Sequence, residues 1–168
     1  MNDLIKNRVS ESSLITIDLS EFLPNADPLF FDLSSYLYKG LILREKDYRQ
    51  SLSETNWSPY NNKTVLVFCS NDAIIPVWAY MLAAVHLGAE TSDIHFLTPD
   101  QWKEKEMIKN IQKTNPEKYY DSRIVIKGCG ETKIPDSAYF EITKLLLPVA
   151  KSILYGEPCS TVPVYKKK

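Results

Sequence analysis

The sequence predicts a three-layer α/β sandwich, with a mainly parallel sheet and helices on both of its faces. From Thr64 onward, segments of strand length alternate with segments of helix length, and this alternation favours parallel strands joined by right-handed crossovers. The 168 residues, 44% of them hydrophobic, are enough for one domain with its own core. We therefore predict a single domain, in which residues 1–62 form an N-terminal part and residues 63–168 form repeated strand–helix units.

The N-terminal part contains one clear strand and one clear helix. Residues 1–13 are polar and favour a short helix or arm. Leu14–Leu19 alternates β-branched and polar residues, which predicts a strand. We expect this strand at an edge of the sheet, where it could run antiparallel. Arg44–Leu52 is expected to be helical with its charges outside, and Asn56–Lys63 is rich in turn residues.

Four strands and three helices are predicted after Lys63. The strands are Thr64–Phe68, Asp93–Leu97, Arg123–Gly128 and Ser152–Gly156, and the helices are Pro76–Leu87, Pro99–Lys113 and Pro135–Leu147. The continuous apolar run of the first strand is typical of a strand covered on both faces. The first helix is apolar almost all round, which predicts a buried helix. The second is a polar surface helix and the third is amphipathic. An irregular tail is expected after Gly156.

A cysteine followed by Ile-Pro-x-x-Ala-Tyr occurs twice in the chain. Cys69 precedes Ile75–Tyr80, and Cys129 precedes Ile134–Tyr139, while a shorter echo near the C-terminus contains Cys159. Each copy follows a predicted strand and begins a predicted helix, so the Ile-Pro part is interpreted as scaffold that sets where the helix starts.

The three cysteines all follow predicted strands, and this placement suggests a metal site. Cys69, Cys129 and Cys159 would lie at the carboxyl edge of a parallel sheet, where open α/β folds bind their ligands. If Thr64–Phe68 and Arg123–Lys127 are neighbours, about 4.8 Å apart, the thiols could converge on one metal centre. Nearby helix N-termini would favour the thiolate form that binds metal.

Sulfur ligands favour zinc, copper(I) or an iron–sulfur cluster, and we predict zinc or an iron–sulfur cluster as the cofactor. Three thiolates leave a fourth position, which Asp72, Glu131 or Glu157 could fill, or which could stay open for water, a substrate or a partner. Two alternatives remain open at this point. The chain could be a non-catalytic interaction domain with structural cysteines. It could also be a thiol-dependent enzyme with Cys129, between two glycines, as its nucleophile.

Several strings of the sequence together resemble one bacterial family, the domain-of-unknown-function family numbered 2480. They are LITIDL, GLILREKDYR, CSNDAIIPVWAYML, IKGC, IPDSAY and ILYGEPCSTVPVYK. The resemblance covers nearly the whole chain. It implies a role near iron–sulfur cluster assembly, with assembly proteins as partners and Cys69, Cys129 and Cys159 as ligands.

Composition and net charge limit the partners and the cellular location that the sequence predicts. The net charge of −1 provides no global field to attract nucleic acid or an anionic membrane. No apolar run approaches the roughly 20 residues of a membrane span. Three cysteines are an odd number, which argues against a disulfide framework. The sequence therefore predicts a cytoplasmic protein.

Overall fold

The computed structural model describes residues 14–128 and 132–168. It confirms an α/β fold in which most strands pair in parallel. The described strands are β1 (Leu14–Asp18), β2 (Leu29–Asp32), β3 (Leu37–Tyr38), β4 (Ile42–Leu43), β5 (Val65–Phe68), β6 (Ile94–His95), β7 (Arg123–Lys127), β8 (Ser152–Glu157) and β9 (Ser160–Lys166). The described α-helices are α1 (Glu45–Glu54), α2 (Val77–Leu87), α3 (Pro99–Gln112) and α4 (Asp136–Leu146). The predicted arm at residues 1–13 lies outside the described residues.

The chain divides into two compact units. The first unit comprises Met1–Pro24 and Glu104–Lys168, and the second comprises Asn25–Lys103. The first contains a sheet of order β1-β7-β8-β9, and the second contains a sheet of order β2-β5-β6 and the β3-β4 pair. The single-domain organisation inferred from chain length stays a prediction.

In the first unit, the N-terminal strand lies at the sheet edge as expected, but it runs parallel to β7. The irregular tail expected after Gly156 is wrong, because β9 pairs with β8 in an antiparallel hairpin. Pro158 and Cys159 connect the two strands, and Gly156 has a φ of 113°, a value that L side chains rarely adopt. The tight turn therefore returns the chain along β8 and extends the sheet.

The second unit is built around β5, which has a parallel partner on each side. Val65, Leu66 and Val67 are all buried, as the continuous apolar run predicts. One of its partners is β2, a segment for which the sequence predicts no strand. Phe31 of β2 stacks on Trp57 with ring centroids 5.5 Å apart, and the buried hydroxyl of Tyr48 donates a hydrogen bond to the Ala79 carbonyl.

The same strand–loop–helix design occurs in both units. β5 and α2 align without gaps on β7 and α4, so that Val65 corresponds to Ile124 and Ile75-Pro76 to Ile134-Pro135. Positions related by this constant offset are termed equivalent positions below. Both helices bury the same side: Ala79, Ala83 and Leu87 in α2, and Ala138, Ile142 and Leu146 in α4. The duplicated Ile-Pro stretch is thus scaffold in both units.

Candidate functional site

Each parallel sheet has an aspartate at the carboxyl end of its first strand, and this residue organises the sheet edge. Asp18 ends β1 and Asp32 ends β2; each begins Asp-Leu-Ser and a short 3-10 helix. Asp32 Oδ1 accepts hydrogen bonds from the backbone N–H of Ser34, at 2.9 Å, and of Ser70, at 3.0 Å. Asp32 therefore ties the end of β2 to the residues that follow β5.

Asp18 makes the corresponding link in the first unit through a lysine. Its Oδ1 accepts from the N–H and the hydroxyl of Ser20, and its Oδ2 lies 3.3 Å from Lys127 Nζ at the end of β7. Lys127 Nζ also lies 3.9 Å from Glu157 Oε2 on β8. Burial by itself raises the pKa of Asp18, but the Ser20 and Lys127 contacts outweigh it and lower that pKa. These groups are an ion-pair network that joins three strand ends.

The prediction of a metal- or iron–sulfur-binding carrier is wrong. Across residues 14–128 and 132–168, no group of three or more His, Cys, Asp and Glu side chains could hold a metal ion. Convergence of the thiols required β5 and β7 to be neighbours in one sheet. Instead β5 pairs with β2 and β6, and β7 pairs with β1 and β8.

The predicted ligands that the structure describes occupy unrelated positions. Cys69 follows β5, is half-buried, and its thiol donates to the Asn71 carbonyl oxygen at 3.5 Å. Asp72 is exposed in the loop after it, and Cys159 is exposed in the turn between β8 and β9. Cys129 and Glu131 lie outside the described residues. The zinc or iron–sulfur cofactor and the nucleophilic role of Cys129 stay predictions.

The equivalent position of Cys69 is Gly128 rather than Cys129, and the difference has a steric cause. A Cβ at Gly128 would overlap the Tyr139 hydroxyl and would lie 2.9 Å from Ile134 Cγ1. Tyr139 packs its ring against Tyr155, and its equivalent Tyr80 packs against Phe96, with centroids 5.6 and 4.7 Å apart. The cysteine is therefore not a fixed part of the repeated design.

Replacing Gly128 by Ala is expected to lower the free energy of unfolding by about 1–3 kcal/mol, because the new methyl group overlaps the Tyr139 hydroxyl. Urea titration followed by circular dichroism measures the loss. Cys69→Ala at the equivalent position is the matched control and should cost less than about 1 kcal/mol. Adding Tyr139→Phe should recover part of the Gly128→Ala loss. Equal losses for Gly128→Ala and Cys69→Ala would contradict the steric explanation.

A cavity of about 250 Å³ opens at the carboxyl ends of β5 and β6. Its described lining consists of Val67, Phe68, Cys69, Tyr80, Phe96, Leu97, Thr98 and Gln101. Burial, together with the nearby Cys69 and Asp32, raises the pKa of Tyr80. Thr98 and Gln101 bond each other's backbone N–H where α3 begins, so their polar groups already cap that helix. The described lining contains no histidine or carboxylate, the usual general bases.

The outer face of α2 is the feature that departs most from expectation. The helix is confirmed, but the prediction that it is buried is wrong, since only one of its sides is covered. The side chains of Val77, Met81 and Val85 are 73%, 63% and 71% exposed, and Ile74, just before the helix, is 94% exposed. Spacings of four residues place Val77, Met81 and Val85 along one side of the helix, and Ile74 lies in the loop that leads into it.

The equivalent face of α4 carries mostly charged residues. Its residues are Lys133, Asp136, Phe140 and Lys144, all exposed, and Lys144 forms an ion pair with Glu141. The two helices have nearly the same pattern of burial, yet three of the four exposed positions are charged in α4 and all four are apolar in α2. The fold therefore does not require apolar residues there.

Residues 3–167 match the family described as "Protein of unknown function (DUF2480)". The chain belongs to the DUF2480 family. No curated protein and no solved structure matches it. Among the described residues of this DUF2480 protein, no helix is long and apolar enough to cross a membrane.

Two features of this DUF2480 protein escape sequence reasoning. One is the repeated Asp-Leu-Ser at Asp18 and Asp32. Three residues are too short a motif to predict a role, and the structure shows that each aspartate ends an edge strand. The other is the exposed face of α2. Its signal is visible when the duplicated stretches are aligned, because charged residues after Ile134-Pro135 align with apolar residues after Ile75-Pro76.

Proposed function

We propose that this protein is a protein-interaction module and that the outer face of α2 docks an apolar, uncharged protein surface. The observation that carries the proposal is the contrast between equivalent faces of α2 and α4. Ile74, Val77, Met81 and Val85 are apolar and exposed, although the fold accepts Lys133, Asp136 and Lys144 at the equivalent positions. Contiguous exposed apolar side chains mark interaction sites in soluble domains.

Charge indicates what kind of surface the face binds. From Ala73 to Ala89 the sequence contains no Asp, Glu, Lys or Arg. A partner that brought a charged group to this face would have to desolvate it without compensation. Helices that bind membrane surfaces carry Lys and Arg on their polar side, which α2 lacks. These features favour a protein partner with an apolar patch of its own.

The test is a photoreactive benzoylphenylalanine placed at Met81 in the full chain, in cells of the source organism. The same group at Phe140, the equivalent position of α4, is the matched control, since both side chains are well exposed. We expect discrete protein adducts from position 81 and none from position 140. Protein adducts in equal amounts from both positions, no adduct from position 81, or adducts to lipid alone would each overturn the proposal.

A triple variant tests whether the adducts from position 81 depend on the apolar residues around it. Ile74→Lys, Val77→Asp and Val85→Lys together place the residues of the α4 face on α2. Because these residues occupy equivalent exposed positions in the same chain, the variant should keep its circular dichroism spectrum and unfolding midpoint. The adducts from position 81 should disappear in it, and adducts that persist would contradict docking on this face.

A cytoplasmic location is part of this proposal, and nucleic acid is not an expected partner at a net charge of −1. An iron–sulfur assembly protein, the partner that the resemblance implies, would be identified as such in the adduct from position 81.

A further inference from the structure

We infer that the occupant of the α2 face is a second copy of this chain, whose α2 packs antiparallel around a two-fold axis near Met81. This inference rests on the proposed function and names its partner. A two-fold interface uses the same surface on both copies, so the surface must complement itself. The α2 face satisfies this requirement in charge, in dipole direction and in the order of its side chains.

Charge is the first requirement. Any charged residue near the axis of a two-fold interface would face its own copy, and such like charges repel. No Asp, Glu, Lys or Arg lies between Ala73 and Ala89, so two α2 faces can meet without repulsion. On the equivalent face of α4 the same arrangement would bring Asp136 of one copy against Lys144 of the other, and burying these charges carries a desolvation cost that the α2 face does not have.

Dipole direction favours the antiparallel arrangement. The α2 helix has 11 residues and is therefore about 16 Å long, at 1.5 Å per residue. Over this length, antiparallel packing places the positive end of each helix beside the negative end of the other. No side chain with a fixed charge at either end of α2 opposes this arrangement.

The order of side chains supplies the register. With the axis at Met81, the Met81 side chains of the two copies meet, and Val77 of one copy lies opposite Val85 of the other. Each pair across the axis therefore joins apolar side chains of equal size, Met81 with Met81 and Val77 with Val85, which allows close packing.

Disulfide trapping of the purified full chain tests the register. In a background of Cys69→Ala, Cys129→Ser and Cys159→Ser, checked by circular dichroism, Met81→Cys alone should form an interchain disulfide under mild oxidation. A mixture of Val77→Cys and Val85→Cys chains should form the mixed disulfide at least about tenfold faster than either forms its own, since a disulfide needs Cβ atoms about 4 Å apart. Phe140→Cys in the same background is the control and should stay monomeric. Equal rates for all these pairs would overturn the register.

Sedimentation equilibrium of the chain with its natural residues tests the association itself. The average mass should rise from 19.3 kDa toward twice that value as concentration increases. Met81→Lys, at an exposed position, places two like charges against each other on the axis and should associate at least about thirtyfold more weakly, as loss of a single hot spot already does. A natural chain that stays monomeric would overturn the second copy as partner. If position 81 still gives adducts to another protein in cells, the proposed docking function survives; if it gives none, both fail.

Discussion

Replacing Ile142 by Ala should lower the free energy of unfolding by about 2–5 kcal/mol. Ile142 is fully buried on α4 within the core of the first unit, in a cluster with Ile124 and Ile153. Truncating it removes apolar contacts and leaves a cavity that the neighbouring side chains fill only in part. Urea unfolding followed by circular dichroism measures the loss.

The equivalent position in α2 carries a smaller residue in a core that is packed differently. Ala83 is equivalent to Ile142 and is also fully buried, so Ile142→Ala installs the residue that the other unit uses. Ala83 belongs to a core cluster that also contains larger rings, including the buried Tyr48 and the partly buried Trp78. A loss below about 0.5 kcal/mol for Ile142→Ala would show that the first unit repacks freely.

The same variant tests the single-domain prediction. Trp57, Trp78 and Trp102 are the three tryptophans of the chain, and all belong to the second unit, Asn25–Lys103. If the chain unfolds as one cooperative domain, Ile142→Ala in the first unit shifts the unfolding midpoint seen by tryptophan fluorescence as much as the midpoint seen by circular dichroism. A fluorescence midpoint that does not move would mean that the units unfold separately.

Replacing Asp32 by Ala should cost about 2–3 kcal/mol of unfolding free energy. The change removes the acceptor for the N–H groups of Ser34 and Ser70. One of these bonds caps a helix, and both are bonds to a charged group, the stronger kind. Asp32→Asn is the matched control: it keeps an acceptor oxygen without the charge and should lose roughly half as much. An Asn variant as unstable as the Ala variant would contradict a role for the acceptor.

The stabilisation by Asp32 should depend on pH. Burial alone raises the pKa of Asp32, but the hydrogen bonds from Ser70 and Ser34 outweigh it and lower that pKa below its usual value. A carboxylate with a lowered pKa in the folded state stabilises the fold at any pH above its unfolded value, about 3.9. That contribution is lost as pH falls through the lower, folded value. The difference in stability between the natural chain and Asp32→Asn should therefore be constant near neutral pH and shrink below about pH 4.

Local patterns determined most of the individual elements. The apolar runs of β5 and β7, the spacing of Ala138, Ile142 and Leu146 on α4, and the repeated Ile-Pro are signals carried by neighbouring residues, and all of them appear in the structure. They are readable from the sequence because a strand or helix with a covered face imposes its own period on the residues that form it.

Only the tertiary structure decided which strands are neighbours. Leu29–Asp32 carries no clear strand signal, yet it pairs with β5, next to which the metal hypothesis needed β7 to lie. Strand pairing depends on residues far apart in the chain, so the composition of one segment does not reveal it. The predicted convergence of the cysteines required β5 and β7 to be neighbours, and it is wrong because these strands do not pair.

The outer face of α2 also depends partly on local sequence and partly on tertiary structure. The sequence determined that Val77–Leu87 is an apolar helix without charged residues, and by itself this composition predicts a helix covered all round. Burial, however, is set by what packs against each side. The fold covers Ala79, Ala83 and Leu87 and leaves Val77, Met81 and Val85 exposed. An apolar helix side that the other described residues leave exposed is a property of the packed molecule, and the proposed interaction site rests on it.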